Sequence, residues 1–234
     1  MAPTAHGIGQ APPTGTPATT APRGGPERRR TGRPPARDRL LAAANELFYA
    51  EGVQSVGIDR IIERAGVAKA SLYNSFRSKE ELVQAYLHSR HAGTADRLTA
   101  AINGQQDPRA QVLAVFDAQS RQFRSPDFHG CAFVSASTEA VPGSLVQQAT
   151  DEFRGWIREL FTDLARRAGA ADPEQLGHQL HLVYDGASLG ARMDRDPSIA
   201  TAARATAEAL LDAALPADAG GPETAAGDPE TGAR

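Results

Sequence analysis

Between about residue 37 and residue 215, apolar residues recur at intervals of three and four, the period of a helix with one buried face. Over 37–50, Leu40, Leu41, Ala44, Leu47 and Phe48 share such a face, and Gly52 follows as a stop. A short helix over 58–65 turns Ile58, Ile61, Ile62 and Ala65 inward and Glu63 and Arg64 outward before Gly66 closes it. The pattern predicts a third helix over 69–76 and a fourth over 78–102, where "SKEE" sets Glu81 three residues after Ser78 as a capping box. Asp107-Pro108, Asp172-Pro173 and Asp196-Pro197 each put a capping carboxylate before a proline, predicting helix starts at 108, 173 and 197. Those helices run to about 124, 193 and 214, and two more fit 131–140 and 144–168 on either side of Pro142-Gly143. No stretch alternates with period two, so no sheet is expected and the fold class is all-α.

The third helix departs from the others. Leu72 and Phe76 are its only strong apolar anchors, at i and i+4, while Ser71, Tyr73, Asn74 and Ser75 make the rest of its surface polar and nearly uncharged. Such a face is suited to meet something other than water. Two short helices joined by "AGVA" and buttressed by a preceding helix form the pattern of a helix-turn-helix, whose second helix enters the DNA major groove. Small and hydroxyl side chains let that helix approach the base edges, and Tyr73 and Lys79 are placed to reach phosphates.

Composition sharpens this picture. Residues 1–90 hold 13 Lys+Arg against 8 Asp+Glu, and the remainder 12 against 20, as in a chain with one polyanion-binding end. Part of the basic excess sits in "RRRTGRPP", which reads either as an arm along DNA or as a solvated tail. Residues 1–36 and 216–234 are rich in Pro, Gly and Ala and are expected to be disordered. No run of 18 apolar residues is present and no secretory leader opens the chain, so no membrane association and a cytoplasmic location are expected. The single cysteine, Cys131, fits a reducing compartment. No nucleophile elbow, P-loop or zinc-protease motif occurs. His178 and His181 share a helix face without a third ligand nearby. Neither enzymatic activity, metal nor cofactor is expected.

The segment "LLAAANELFYAEGVQSVGIDRIIERAGVAKASLYNSFRSKEELVQAYL" resembles the N-terminal signature of the tetracycline-repressor-like (TetR/AcrR) transcriptional regulators. The resemblance rests on Ala42, Ala43, Leu47, Phe48, Gly52, Ile61, Ala65-Gly66-Val67, Leu72-Tyr73, Phe76, Lys79 and Leu82. It implies a helix-turn-helix DNA-binding domain over 37–82 and an effector-binding and dimerisation domain over 83–215. It further implies double-stranded operator DNA as partner, contacted by Lys69, Ala70, Ser71, Tyr73, Asn74, Ser75 and Lys79. The chain departs from the family at Gly57 and Ala68, where Thr and Ser or Thr are usual; Ala is a poor N-cap, costing about 0.5–2 kcal/mol. Asp59 is a second oddity: a first-turn acid favoured by the helix dipole, or an acceptor for cytosine.

The resemblance also implies a homodimer formed by the last two helices, with Leu176, Leu180, Val183, Ala187 and Ala191 on one and Ala203, Ala207, Leu210, Leu211 and Ala214 on the other. An unknown small-molecule effector would bind among Phe116, Gln119, Phe123, Phe133, Trp156 and Tyr184. Cys131 follows Gly130 at an expected helix start, where the dipole lowers a thiol's pKa. It reads either as a redox or electrophile sensor or as a small buried residue. The chain as a whole reads as a regulator, with repression the expected sign. A helix-turn-helix kept for binding protein is the alternative.

Overall fold

The computed structural model describes residues 33–138 and 140–215. Among them are nine helices and no strand: α1 (Ala36–Glu51), α2 (Ile58–Ala65), α3 (Lys69–Ser75), α4 (Lys79–Asn103), α5 (Pro108–Phe123), α6 (Ala132–Ser137), α7 (Leu145–Arg167), α8 (Pro173–Asp194) and α9 (Ile199–Ala214). The expected tails lie outside the described residues except for 33–36, and Ala36 already opens α1. Most of the arm "RRRTGRPP" falls outside them too. No described helix is long and apolar enough to cross a membrane.

Local chemistry accounts for most boundaries. Gly66 adopts the left-handed conformation (φ 60°, ψ 48°) that ends α2, its N–H and that of Val67 donating to Glu63 and Ile62. Ser78 Oγ accepts from the Glu81 N–H at 3.1 Å, while the Glu81 carboxylate reaches past Ser78 to accept from the Arg77 N–H at 2.9 Å. Asp107 and Asp172 accept from Ala110 and Gln175, each ahead of a first-turn proline. The expectation at Asp196-Pro197 is corrected: Asp196 accepts from both the N–H and the hydroxyl of Ser198, and this turn delays α9 to Ile199. α6 is also shorter than the expected 131–140. Ser137 and Thr138 hydroxyls donate back to the carbonyls of Val134 and Ser135, an alternative to continuing the helix.

Two apolar clusters form the interior. One joins Leu40, Leu47, Phe48, Val56, Ile61, Leu72, Phe76, Leu82 and Tyr86 and continues through Leu87 to Phe133 and Phe153, so the core under the helix-turn-helix extends well beyond residue 82. The other is built by α5, the distal halves of α4 and α7, and α8 and α9. Trp156 packs against both. α7 and α8 approach so closely that a Cβ on Gly177 would lie 2.9 Å from the backbone of Thr162.

The faces of α8 and α9 also correct an expectation. Leu176, Leu180, Ala187, Ala191, Ala203, Ala207 and Leu211 are buried within their own chain, with Val183, Leu210 and Ala214 partly so. The outward face of α8 instead carries Leu182, Leu189 and Met193, 74%, 50% and 71% exposed, and α9 presents Ala202, Ala205, Ala209 and Ala213.

Candidate nucleic-acid interface and effector cavity

The reading head is assembled by contacts between helices too short to hold their own shape. Leu72 is fully buried and Phe76 nearly so, and they fix α3 against α1. Arg39 on α1 donates from Nη1 to the carbonyls of Ala65 and Gly66 at 3.0 and 2.8 Å, clamping the turn between α2 and α3. The resemblance does not mark Arg39, because its partners are backbone atoms distant in sequence. Arg60 pairs with Glu51, and Arg64 with Glu46, so both cations of α2 remain exposed, Arg64 outward as expected, while being tied to α1.

With α3 so anchored, Ala70, Tyr73 and Asn74 share its exposed face, Tyr73 being 52% exposed. Ser71 and Ser75 are half-buried, and the Ser75 hydroxyl donates to the Ser71 carbonyl at 2.7 Å. Lys79 is also half-buried, its Nζ 5.9 Å from the centroid of the Phe48 ring. Arg37, which sequence reasoning did not single out, lies with its guanidinium 4.9 Å from the Phe76 ring centroid at the same end of the head.

Lys69 donates to Asp59 at 3.0 Å, and this hydrogen bond raises the lysine's pKa. Asp59 thereby ties the first turn of α2 to that of α3. The pair is exposed, so its strength is small and a phosphate can compete for the lysine. Neither Gly57 nor Ala68 makes a side-chain cap, leaving first-turn N–H groups of α2 and α3 for another acceptor. Amide hydrogen exchange over 58–76 is therefore expected to slow on adding operator DNA; equal protection with and without DNA would show that the head is already rigid.

Behind the reading head lies a small cavity of about 30 Å³, the scale of a water molecule or two. Of the six expected effector residues, Phe123, Phe133 and Tyr184 line it. The other three do not. Phe116 is packed against Phe161 and Tyr184. Gln119 is buried and donates to the Tyr184 carbonyl and the Ser188 hydroxyl at 2.8 and 2.9 Å, its own carbonyl oxygen unpartnered. Trp156 stacks at a tilt on His91. The cavity walls include Arg90, Thr94, Gln122 and Ser188, which sequence reasoning missed. One signal was available: the buried stripe Val83, Leu87 on α4 resumes at Leu98 and Ile102, and Arg90 and Thr94 interrupt it.

Cys131 caps α6 and lines the same cavity. Its expected activation is reversed: burial pushes the thiol up, and the N–H groups of Val134 and Phe133 only partly offset this. His129 turns away to the Tyr49 ring, at 5.3 Å between centroids. Alkylation near pH 7 is expected to be slower in the native protein than in urea, because less thiolate is present. Since the folded thiol titrates above its unfolded value, its contribution to stability is intact below that ordinary value and is lost as pH rises through the folded one. Native alkylation as fast as in urea would restore Cys131 as a reactive sensor.

His181 is buried while His178 is exposed, and among the described residues no group of three or more His, Cys, Asp or Glu could hold a metal. Burial lowers the pKa of His181, against the pull of Asp185.

A clamped helix-turn-helix on an all-helical body with a small cavity defines a DNA-binding regulator. The family model "Bacterial regulatory proteins, tetR family" matches residues 40–86. The chain is 30% identical over 169 residues to the HTH-type transcriptional repressor NemR of Escherichia coli K12, covering 68% of this chain and 85% of that protein. Its fold matches the crystal structure of SCO4454, a TetR-family transcriptional regulator from Streptomyces coelicolor, with TM-score 0.73 and 35% identity over 76% of this chain and 95% of that one. A TetR-type regulator from Streptomyces avermitilis, sav143, matches with TM-score 0.69 and 36% identity over 76% and 97%. The protein belongs to the TetR family of transcriptional regulators, and it is not an enzyme.

Proposed function

We propose that the chain is a homodimeric repressor that binds a palindromic operator and is released by a small molecule bound behind the reading head. The observation that carries this reading is α4. One rigid helix begins at Lys79 beside the reading helix and, three turns later, presents Arg90 and Thr94 to the cavity. A ligand that prefers one setting of α4 therefore biases the heads, and operator affinity follows by linkage. The exposed apolar faces of α8 and α9 supply the second copy that two half-sites require. Ala70, Tyr73 and Asn74 face the groove, with Lys69, Ser71, Ser75 and Lys79 at its edges. Repression follows the sign of NemR, whose chain this one largely spans.

The test is selection of duplexes from a random DNA pool by the purified protein at about 150 mM salt, where bare phosphate attraction is weakened. Recovery of one palindrome is expected. Unrelated sequences retained only at low salt would move the helix-turn-helix to a protein-binding role.

A further inference from the structure

Arg90 occupies a position on α4 that the surrounding stripe reserves for apolar side chains. Its guanidinium lies 3.6 Å from the Tyr49 ring centroid, and among the described residues it has no carboxylate partner. No acid lines the cavity, and the nearby Asp185 is paired with Arg154 at 2.7 Å. Arg97, two turns along α4, lies outside this lining and is bonded to Gly93, Thr94 and Gln122. Phe123, Phe128, Phe133 and Phe153 line the same cavity. A half-buried guanidinium stacked on an aromatic ring, in a phenylalanine-lined cavity and without a counter-charge, is a site an anion would stabilise.

We propose that the effector is an aromatic carboxylate, its acid group bidentate on Arg90 and its ring among these phenylalanines. This rests on the reading of the protein as an effector-released regulator. A cavity of about 30 Å³ does not hold a benzene ring, for which about 150 Å³ is needed, so binding must displace a wall. One wall, the 128–131 segment, is bonded to α1. There Tyr49 Oη donates to the Gly130 carbonyl at 3.0 Å and accepts from the His129 N–H at 3.2 Å. Gly130 has φ 96°, and the Arg192 side chain lies 3.1 Å from where a Cβ would stand, so the segment is pinned from both sides. An anion that draws Arg90 off the Tyr49 ring and presses on this segment acts directly on α1, whose Arg39 holds the turn of the reading head. Arg90 is thus the recognition group and Tyr49 the link.

The experiment is calorimetry on the full chain with benzoate, salicylate and cinnamate, each against its uncharged amide, for wild type, Arg90→Gln, Arg90→Lys and Tyr49→Phe. At least one acid is expected to bind about tenfold or more tightly than its amide. Arg90→Gln should erase that preference and Arg90→Lys retain part of it, with both variants melting as cooperatively as wild type. Tyr49→Phe should keep the acid's affinity but weaken its effect on a selected duplex. Equal binding of acid and amide, a preference that survives in Arg90→Gln, or no binding of any acid would overturn the proposal. If uncharged aromatics release the duplex and the acids do not, this proposal falls and the repressor reading stands. If no duplex is selected at all, the repressor reading falls, and the acid-to-amide ratio still decides the role of Arg90.

Discussion

Leu182→Glu combined with Leu189→Glu is expected to convert the protein to a monomer and to weaken operator binding by about a thousandfold or more, toward the non-specific level. Both side chains stand on the outer face of α8, at least half exposed, in line with Met193 and beside the alanines of α9. An apolar strip of this kind gains nothing by facing water, and small residues on α9 allow a second helix pair to approach closely. Placing two carboxylates there requires burying like charges across a two-fold axis, which a dimer does not tolerate. The chain's own core does not use either leucine, so the fold should survive. Sedimentation and operator titration check this together: a variant that remains dimeric would move the interface elsewhere, and a monomer with undiminished affinity would remove the need for a palindrome.

The second large effect concerns the α7–α8 contact. Gly177→Val is expected to destabilise the fold by about 3 kcal/mol, because the first carbon added would meet Thr162 Cα and N at 2.9 Å. For a helical body of this size the melting temperature should fall by roughly 6–12 °C. Helix propensity alone predicts the opposite sign, since glycine is the poorer helix former. Gly155→Ala serves as the control: that glycine lies in α7 with nothing within 4 Å of its missing Cβ, and the substitution should stabilise by about 0.5–1 kcal/mol. Melting curves that rise for both substitutions would mean that Thr162 can withdraw and the helices are not tightly docked there.

Much of the site was legible in the sequence for a physical reason that differs from residue to residue. Gly66, Ser78, Asp107 and Asp172 act on backbone groups within four residues of themselves, so their meaning does not depend on the rest of the fold. Leu72 and Phe76 likewise announce a narrow anchor, and an anchored helix with an otherwise polar surface leaves Ala70, Tyr73 and Asn74 outward. Asp59 and Lys69 were each singled out in the sequence, but their pairing was not, because ten residues and a turn separate them.

Tertiary structure alone decided the remainder. α8 has apolar residues on two faces, and periodicity has no means of choosing which of Leu180 and Leu182 turns inward; packing against α7 and α9 chose Leu180. The helix-start position of Cys131 was readable, yet burial outweighs the local N–H groups and sets the direction of its titration. Arg90 and Tyr49, forty-one residues apart, acquire a shared role only because α4 crosses α1 beside the 128–131 segment. Helix ends and the reading face follow from short-range hydrogen bonding and spacing, which the order of residues determines directly. Inward faces, thiol acidity and the cavity's charge depend on which distant side chains exclude water, and only the folded chain brings those together.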